Sequence, residues 1–458
     1  MKKLITSFIV MVGFAIQTSA YDFQSGNLLY SIISTNPPCV SLDGHIDGQE
    51  AVGELIISEA VEYNNVIYTV TEIGSHAFYR CFHLTGDLVI PKSVMRIRSS
   101  AFSKCGFDGT LTIPNSVTEI GRNAFNVNML TGQLVLPNSI EQIEPSAFAR
   151  SHAFTGDLVI PESVTMIGDS AFWFGSFDGN LIIGGSVERI GDMAFYQCSA
   201  LTGDLVIPES VESIGRFAFY KCDGFDGSLS LPSQLSEIED AAFAWCRGLT
   251  GNLGLPENVT RIGWQAFTNC SFTGEIVIPN AVVRIESEAF ANCPQITGLT
   301  IGSAVERIDN LAFAYTNTPL LGSIKLHAET PPSLHYSAFN HVPRDIPVYI
   351  PCNTLELYQN AAYWDEFTNF IEDCSLATDE LCTNSVLGSC YPNPAIDYLK
   401  IEGINPSEIQ IYNTLGQLIS VNHGTNEISV RDLPKGIYLL RITDVKGSSF
   451  TSRIIVAR

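Results

Sequence analysis

The sequence predicts a solenoid of short stacked strands followed by a small β-sandwich, with an export signal in front. Three observations predict it: a unit of 23 or 24 residues built around an Ala-Phe pair, a different strand-rich pattern after residue 386, and an apolar leader behind two lysines. The chain has 458 residues, more than one ordinary domain needs, and 45% of them are hydrophobic, which excludes wholesale disorder.

The repeat comes first because it organises everything else. Its Phe falls at 78, 102, 125, 148, 172, 195, 219, 243, 267, 290, 313 and 339, the last step being 26 residues. A typical unit reads Leu201-Thr-Gly-Asp-Leu205-Val206-Ile207-Pro208-Glu-Ser-Val211-Glu-Ser-Ile214-Gly-Arg-Phe-Ala218-Phe219-Tyr-Lys-Cys222. A period in the twenties centred on Leu-x-Ile predicts a leucine-rich repeat solenoid. Strand side chains alternate, so Leu205 and Ile207 point into the coil and Val206 points out. Pro208 ends the strand because it has no N–H for a ladder. Val211, Ile214, Ala218 and Phe219 turn inward on the return path, with turns or a short helical segment around the Ala-Phe pair on the convex side. One coil cannot hide its apolar side, and stacked neighbours make the core continuous.

Glycines divide into two kinds. One precedes every strand, from Gly86 through Gly156 and Gly227 to Gly322, usually after Thr or Asp; a tight turn with positive φ is expected there. The other, after the inward Ile, alternates with Arg98, Glu144, Glu239, Glu286 and Asp309, so that position is expected to need only an exposed side chain. Both ends of the array require caps, or they would expose apolar faces and unpaired edges. Residues 21–70 hold strand-like runs at 28–33 and 66–70 and read as the N-terminal cap of repeats spanning 71–343. At 344–374, Val348-Tyr-Ile-Pro351 is a last strand, and Leu355, Tyr358, Trp364, Phe367 and Phe370 suit an amphipathic cap. Residues 375–386 read as a linker and 387–458 as the sandwich.

The leader consists of Lys2 and Lys3, an apolar run over 4–16 and the small-residue end Thr18-Ser19-Ala20. It reads as a signal peptide, residues 1–20, with the mature chain starting at Tyr21. No later stretch is long and apolar enough for a transmembrane segment. Lys and Arg total 25 against 48 Asp and Glu, a net charge of −23. Such a surface repels nucleic acid and anionic lipid.

The units Leu-x-Ile-Pro-x-Ser-Val-x-x-Ile-Gly-x-x-Ala-Phe-x-x-Cys resemble the BspA-type leucine-rich repeats of bacterial surface proteins. The entry Tyr68-Thr-Val-Thr-Glu-Ile-Gly-Ser-His-Ala-Phe78 and the exit Val348-Tyr-Ile-Pro-Cys352 resemble that family's ends. A second resemblance rests on Tyr391-Pro392-Asn393-Pro394, Ile409 to Gly416, and Leu433-Pro-Lys-Gly436-Ile-Tyr438. These are similar to the C-terminal sorting domain of type IX secretion cargo, a small β-sandwich that directs passage through the outer membrane. Together the resemblances imply export across both membranes, a cell-surface or secreted product, and the type IX secretion machinery as a partner of 387–458.

Cys81, 105, 198, 222, 246, 270 and 293 all follow the repeat Phe by three residues, where other units carry Asn128, Ser151 or Gly175. An interchangeable small residue at a stacked position reads as core filler and a free, buried thiol. Cys39, 352, 374, 382 and 390 stand apart: Cys352 with Cys374 could staple the cap and Cys382 with Cys390 could close a loop, but spacing leaves the pairing open.

No motif for catalysis is found: His-Glu-x-x-His, Gly-x-Ser-x-Gly and the phosphate-binding glycine loop are missing. No cofactor and no metal site is expected. His327, His335 and His341 read as surface or turn residues, and the Asp-Gly pairs as turns rather than calcium loops. The candidate site is instead a surface, the concave face of the strands. One column there holds Asp87, Asp157, Asn180, Asp204, Asn252 and Glu275; beside it runs a β-branched stripe with Val89, Val159, Ile182 and Val206. The expected function is a non-enzymatic, protein-binding surface protein, an adhesin for host matrix or plasma proteins or for other microbes. The alternative is a structural surface coat with no foreign ligand.

Overall fold

The structure, a computed structural model, describes residues 21–315, 321–376, 389–391, 397–402, 406–413, 417–444 and 449–456. It divides into two units, Met1–Glu372 and Asp373–Arg458. The first is the solenoid. Its twelve repeat phenylalanines are buried and stack ring on ring down the core, with centroids 5.1–5.8 Å apart and neighbouring planes within 19°. Leu205, Ile207, Val211 and Ile214 are buried around that column as the alternation requires, and Val206 is exposed.

Two ladders of parallel strands tie coil to coil, where the repeat letters announced one. The first contains the Leu-x-Ile strands, such as Leu205–Val206 with Leu229–Ser230. The second lies at the next inward Ile: Gln142–Ile143, Met166–Ile167, Arg189–Ile190 and Ser213–Ile214 pair in register. The recurring Ile marks an inward position in the sequence, but one apolar residue per coil does not show that its backbone also pairs with the neighbouring coils. The expectation for the second glycine changes with it. Gly121, Gly191 and Gly215 need no positive φ, but an added Cβ would meet the preceding coil's backbone at 2.5–2.7 Å. Where a charged residue replaces this glycine, it is not simply exposed. Asp309 is 3% exposed and binds Arg284 at 2.6 Å and Arg307 at 2.5 Å, and Arg98 joins Glu72 and Glu119.

The Ala-Phe segment takes the turn form rather than the helical one. Residues two before and two after the repeat Phe are left-handed in coil after coil, as at Ser170 (φ 57°) and Phe174 (φ 56°) around Phe172. That conformation is strained for a bulky side chain. Here its N–H compensates by donating to the next coil: Ser170 N to Asp192 O at 2.8 Å and Phe174 N to Tyr196 O at 2.9 Å. The ladder cysteines sit where these turns close. Their thiols are free; that of Cys81 donates to Gly48 O, and the others donate to the repeat-Phe carbonyl of the preceding coil, as Cys222 to Phe195 O and Cys246 to Phe219 O at 3.0 Å. Asn128 makes the same bond to Phe102 O. Burial pushes the Cys198 thiol up to about 12, so the thiolate needed for redox chemistry is suppressed.

At the N-terminal end, Phe23–Ser25, Leu28–Thr35 and Pro38–His45 form an antiparallel meander. Val66–Ile73 then pairs in parallel with both Pro38–His45 and Arg96–Ile97, which feeds this sheet into the second ladder. At the other end, Val348–Ile350 and Phe370–Glu372 extend the first ladder around a single-turn helix, Leu355–Asn360. Tyr358 and Trp364 cover the last Phe column; the Tyr358 hydroxyl donates to Ala328 O at 2.6 Å and the Trp364 indole to Pro332 O at 2.8 Å. Cys352 and Cys374 are both disulfide-bonded. Cys382 lies outside the described residues.

The second unit is antiparallel. Ser389–Tyr391, Tyr398–Glu402 and Glu427–Ser429 make one sheet; Leu418–His423, Pro406–Asn413, Gly436–Asp444 and Ser449–Val456 make the other. Leu399, Ile401 and Ile428 from the first join Ile409, Ile411, Leu440 and Ile454 from the second in one core, which is a sandwich. Tyr438 is buried and its hydroxyl donates to Pro434 O at 2.9 Å, closing the turn that Gly436 follows. Tyr391 ends the first strand; Pro392, Asn393, Pro394 and Gly416 lie outside the described residues.

Candidate binding surface

The outward residues of the first ladder are where the alternation puts them. Val89 and Val206 are each 53% exposed, Ile182 49% and Val159 39%. Side chains with no polar atom are held there in rows by the strands beneath, and they form the apolar stripe of this face.

The polar column has another occupation. Asp87 accepts from the backbone N–H and the hydroxyl of Thr110 at 2.6 and 2.9 Å, and Asp204 does the same with Ser228 at 2.6 and 2.8 Å. Asp157 accepts from Asn180, through the backbone N–H at 2.7 Å and the side-chain amide at 3.3 Å. The return bonds come from the next coil's Asp-Gly turn: Asp108, Asp178 and Asp226 accept from the N–H of Gly86, Gly156 and Gly203. Each Thr-Gly-Asp coil is thus clamped to the Phe-Asp-Gly coil that follows it. The two-stranded pairs of the first ladder, Leu88–Val89 with Leu111–Thr112, Leu158–Val159 with Leu181–Ile182 and Leu205–Val206 with Leu229–Ser230, occur at these three clamps. Glu275 is engaged too, by the Thr300 hydroxyl and by Lys325 at 3.2 Å. Asn252 lies exposed beside Gly251 at the same place in its coil.

The clamp also corrects the expectation for the first glycine. Gly86, 132, 156, 203, 251 and 274 do have φ between 74° and 82°, and all follow Thr. The Asp-Gly members Gly109, Gly179 and Gly227 do not. They are glycines because a Cβ would strike the carboxylate of Asp87, Asp157 or Asp204 from the coil before.

These bonds have an electrostatic consequence. The backbone N–H of Thr110, then its hydroxyl, lowers the Asp87 carboxyl below its ordinary value, and Ser228 does the same for Asp204. A carboxyl lower in the folded than in the unfolded chain stabilises the fold above the unfolded value, and that contribution is lost as pH falls through the folded one. Thermal stability is therefore expected to decline as the pH drops below ~4. Asp204→Asn keeps an acceptor oxygen but cannot titrate, so its melting temperature should depend less steeply on pH over that range. Identical slopes for variant and parent would show that the clamp does not titrate with folding.

Tyr79, Trp173, Tyr196 and Tyr220, each just after a repeat Phe, form a weaker candidate column on the turn side, and the structure sets cations among them. Arg150 lies 4.5 Å from the Trp173 ring and Arg247 4.5 Å from Trp245; Lys221 is within 6 Å of both Tyr220 and Trp245. Lys104 stands over Tyr79. Among the described residues, no group of three His, Cys, Asp or Glu is placed to hold a metal, and no helix is long and apolar enough to cross a membrane.

Comparison with known proteins gives the repeat its place. A family model described as the BspA type leucine rich repeat region matches residues 71–202 and 188–319, more than half of the chain. A second, the secretion system C-terminal sorting domain, matches 389–457. A search of the curated proteins finds no match. Among solved structures, a leucine rich cell surface protein of Faecalibacterium prausnitzii A2-165 is 23% identical, with 66% of this chain and 94% of the other covered and a TM-score of 0.42. A leucine-rich repeat protein of Bacteroides ovatus ATCC 8483 is 22% identical, covering 77% and 100%, with a TM-score of 0.47. The pneumococcal vaccine antigen PcpA is 18% identical, covering 77% and 98%, with a TM-score of 0.41. The chain belongs to the BspA-type leucine-rich repeat family and ends in a type IX sorting domain, which makes it a repeat protein exported to the cell surface or secreted.

Proposed function

We propose that the protein is an adhesin whose first-ladder face binds an extended segment of a host or microbial surface protein. The observation that carries this reading is the row of exposed β-branched side chains, Val89, Val159, Ile182 and Val206, supported by a polar column that is already held in place. An apolar stripe with a polar border is what a protein partner covers most readily. Repetition along the coils makes many shallow contacts additive, so binding is avid rather than pocket-like. No catalytic step is assigned to the chain.

The test is binding of the mature chain to immobilised matrix proteins, plasma proteins and bacterial cells across salt concentrations. Val159→Asp with Val206→Asp should weaken saturable binding by about tenfold or more, because both positions are exposed and the core is untouched. Undiminished binding by that variant would move the contact to another face. Failure to bind anything in the panel, with ordered self-association at high concentration, would instead establish the surface coat.

A further inference from the structure

Beyond the first-ladder face, we propose a second docking surface on the turn side, a cationic and aromatic ledge from Arg150 to Arg247 that takes an acidic polypeptide segment. The ledge is built by the left-handed turns. Arg150, Phe174, Lys221 and Trp245 each stand two residues after a repeat Phe, at φ of 55°, 56°, 56° and 65°, so the backbone delivers them to the same place in their coils, with Gln197 there in the coil between Phe174 and Lys221. Tyr196 and Tyr220 fill the rows between, stacked at 4.9 Å and 15°.

Charge points to the partner. In a chain of net charge −23, carboxylates are plentiful partners for cations, and in the second ladder Arg96, Arg261, Arg284 and Arg307 are paired with them. On the ledge, no carboxylate lies within 4.0 Å of Arg150, Lys221 or Arg247 among the described residues; these cations rest on rings instead. A guanidinium over an indole keeps its outer N–H groups available and its stem immobile. Asp223 shares the shallow cleft of Lys221, Trp245 and Arg247 without pairing with either cation. The ledge is thus rich in positive charge, held on rings rather than by carboxylates.

Ring geometry favours a polypeptide over a sugar polymer. A sugar ring packs on an open aromatic face, but Tyr196 and Tyr220 face each other, and Trp173 and Trp245 each carry a guanidinium on one face. Arg, Trp and Tyr together are the side chains that dominate the energy of protein interfaces, and complementary charge sets both encounter rate and register.

The experiment uses the full mature chain and a fluorescein-labelled peptide of alternating Glu and Ala, with a Lys-Ala peptide as the opposite charge. Saturable binding of the Glu-Ala peptide, weakened by salt, is expected. Arg150→Glu with Lys221→Glu should raise Kd at least ~10-fold, and Arg150→Gln with Lys221→Gln by less. Arg122→Glu with Arg189→Glu makes the same charge change at exposed arginines away from the ledge, Arg189 within the second ladder, and should leave Kd within about twofold. Val159→Asp with Val206→Asp should also leave it unaltered, which separates this site from the adhesive face. Circular dichroism melting confirms that each variant is folded. The proposal is overturned by no binding of the Glu-Ala peptide, by equal weakening in both charge-reversal pairs, or by binding of dextran sulfate in preference to the peptide, which would make the ledge a polysaccharide site.

Discussion

Phe195→Ala is expected to destabilise the solenoid by about 3–5 kcal/mol, the largest effect of any single side chain named here. Phe195 is wholly buried between Phe172 at 5.4 Å and Phe219 at 5.1 Å, with planes tilted by 11° and 7°. Truncation removes the ring's buried area, leaves a cavity and breaks two aromatic contacts, each contributing ~0.5–1.5 kcal/mol beyond area. The repeat architecture adds a second consequence. Each coil touches only its neighbours, so a defect in the middle of the stack uncouples the coils on either side. All four tryptophans lie in the solenoid, so their fluorescence follows its unfolding in urea without interference from the sandwich. A lower midpoint with a broadened transition is the expected result, and Phe195→Leu should recover part of the loss. A change below ~1 kcal/mol would mean that the column fills space without coupling the coils.

Gly248→Ala is expected to cost about 3 kcal/mol, at the upper end of ordinary overpacking, although it adds one methyl group near the surface. That Cβ would sit well inside contact with the carbonyl oxygen of Phe225 and 3.0 Å from that of Asp223, both backbone atoms of the preceding coil. A side chain can swing away from a new methyl; a backbone carbonyl cannot without moving its coil. Gly254→Ala is the matching control. A methyl added at Gly254 meets no heavy atom within 4 Å, and the backbone there has no positive φ. That variant should therefore be neutral or stabilise by up to ~1 kcal/mol through the unfolded chain. Equal melting temperatures for the two variants would show that the coils can part at Gly248 without penalty.

The two substitutions divide what was legible in the sequence from what was not. Phe195 announced itself, because every coil must hide the same apolar set and the period of 23 or 24 residues repeats that demand along the chain. The inward Leu and Ile, the buried cysteine column, the capping aromatics at Tyr358 and Trp364 and the strands of the sorting domain were readable for the same reason. Gly248 did not announce itself. The corresponding place holds Gly106 and Gly224 in two other coils but Ala200, Ser271 or His83 elsewhere, and only the approach of the Phe225 carbonyl makes glycine necessary at 248. The second ladder, the Asp87, Asp157 and Asp204 clamps and the Arg150–Trp173 contact belong to the same class. Burial is a property of one residue and its period, so the sequence by itself determined the core, the solenoid and the two-unit organisation. Contact between coils depends on which residue the winding sets opposite which, a full coil away, and that only the tertiary structure decided.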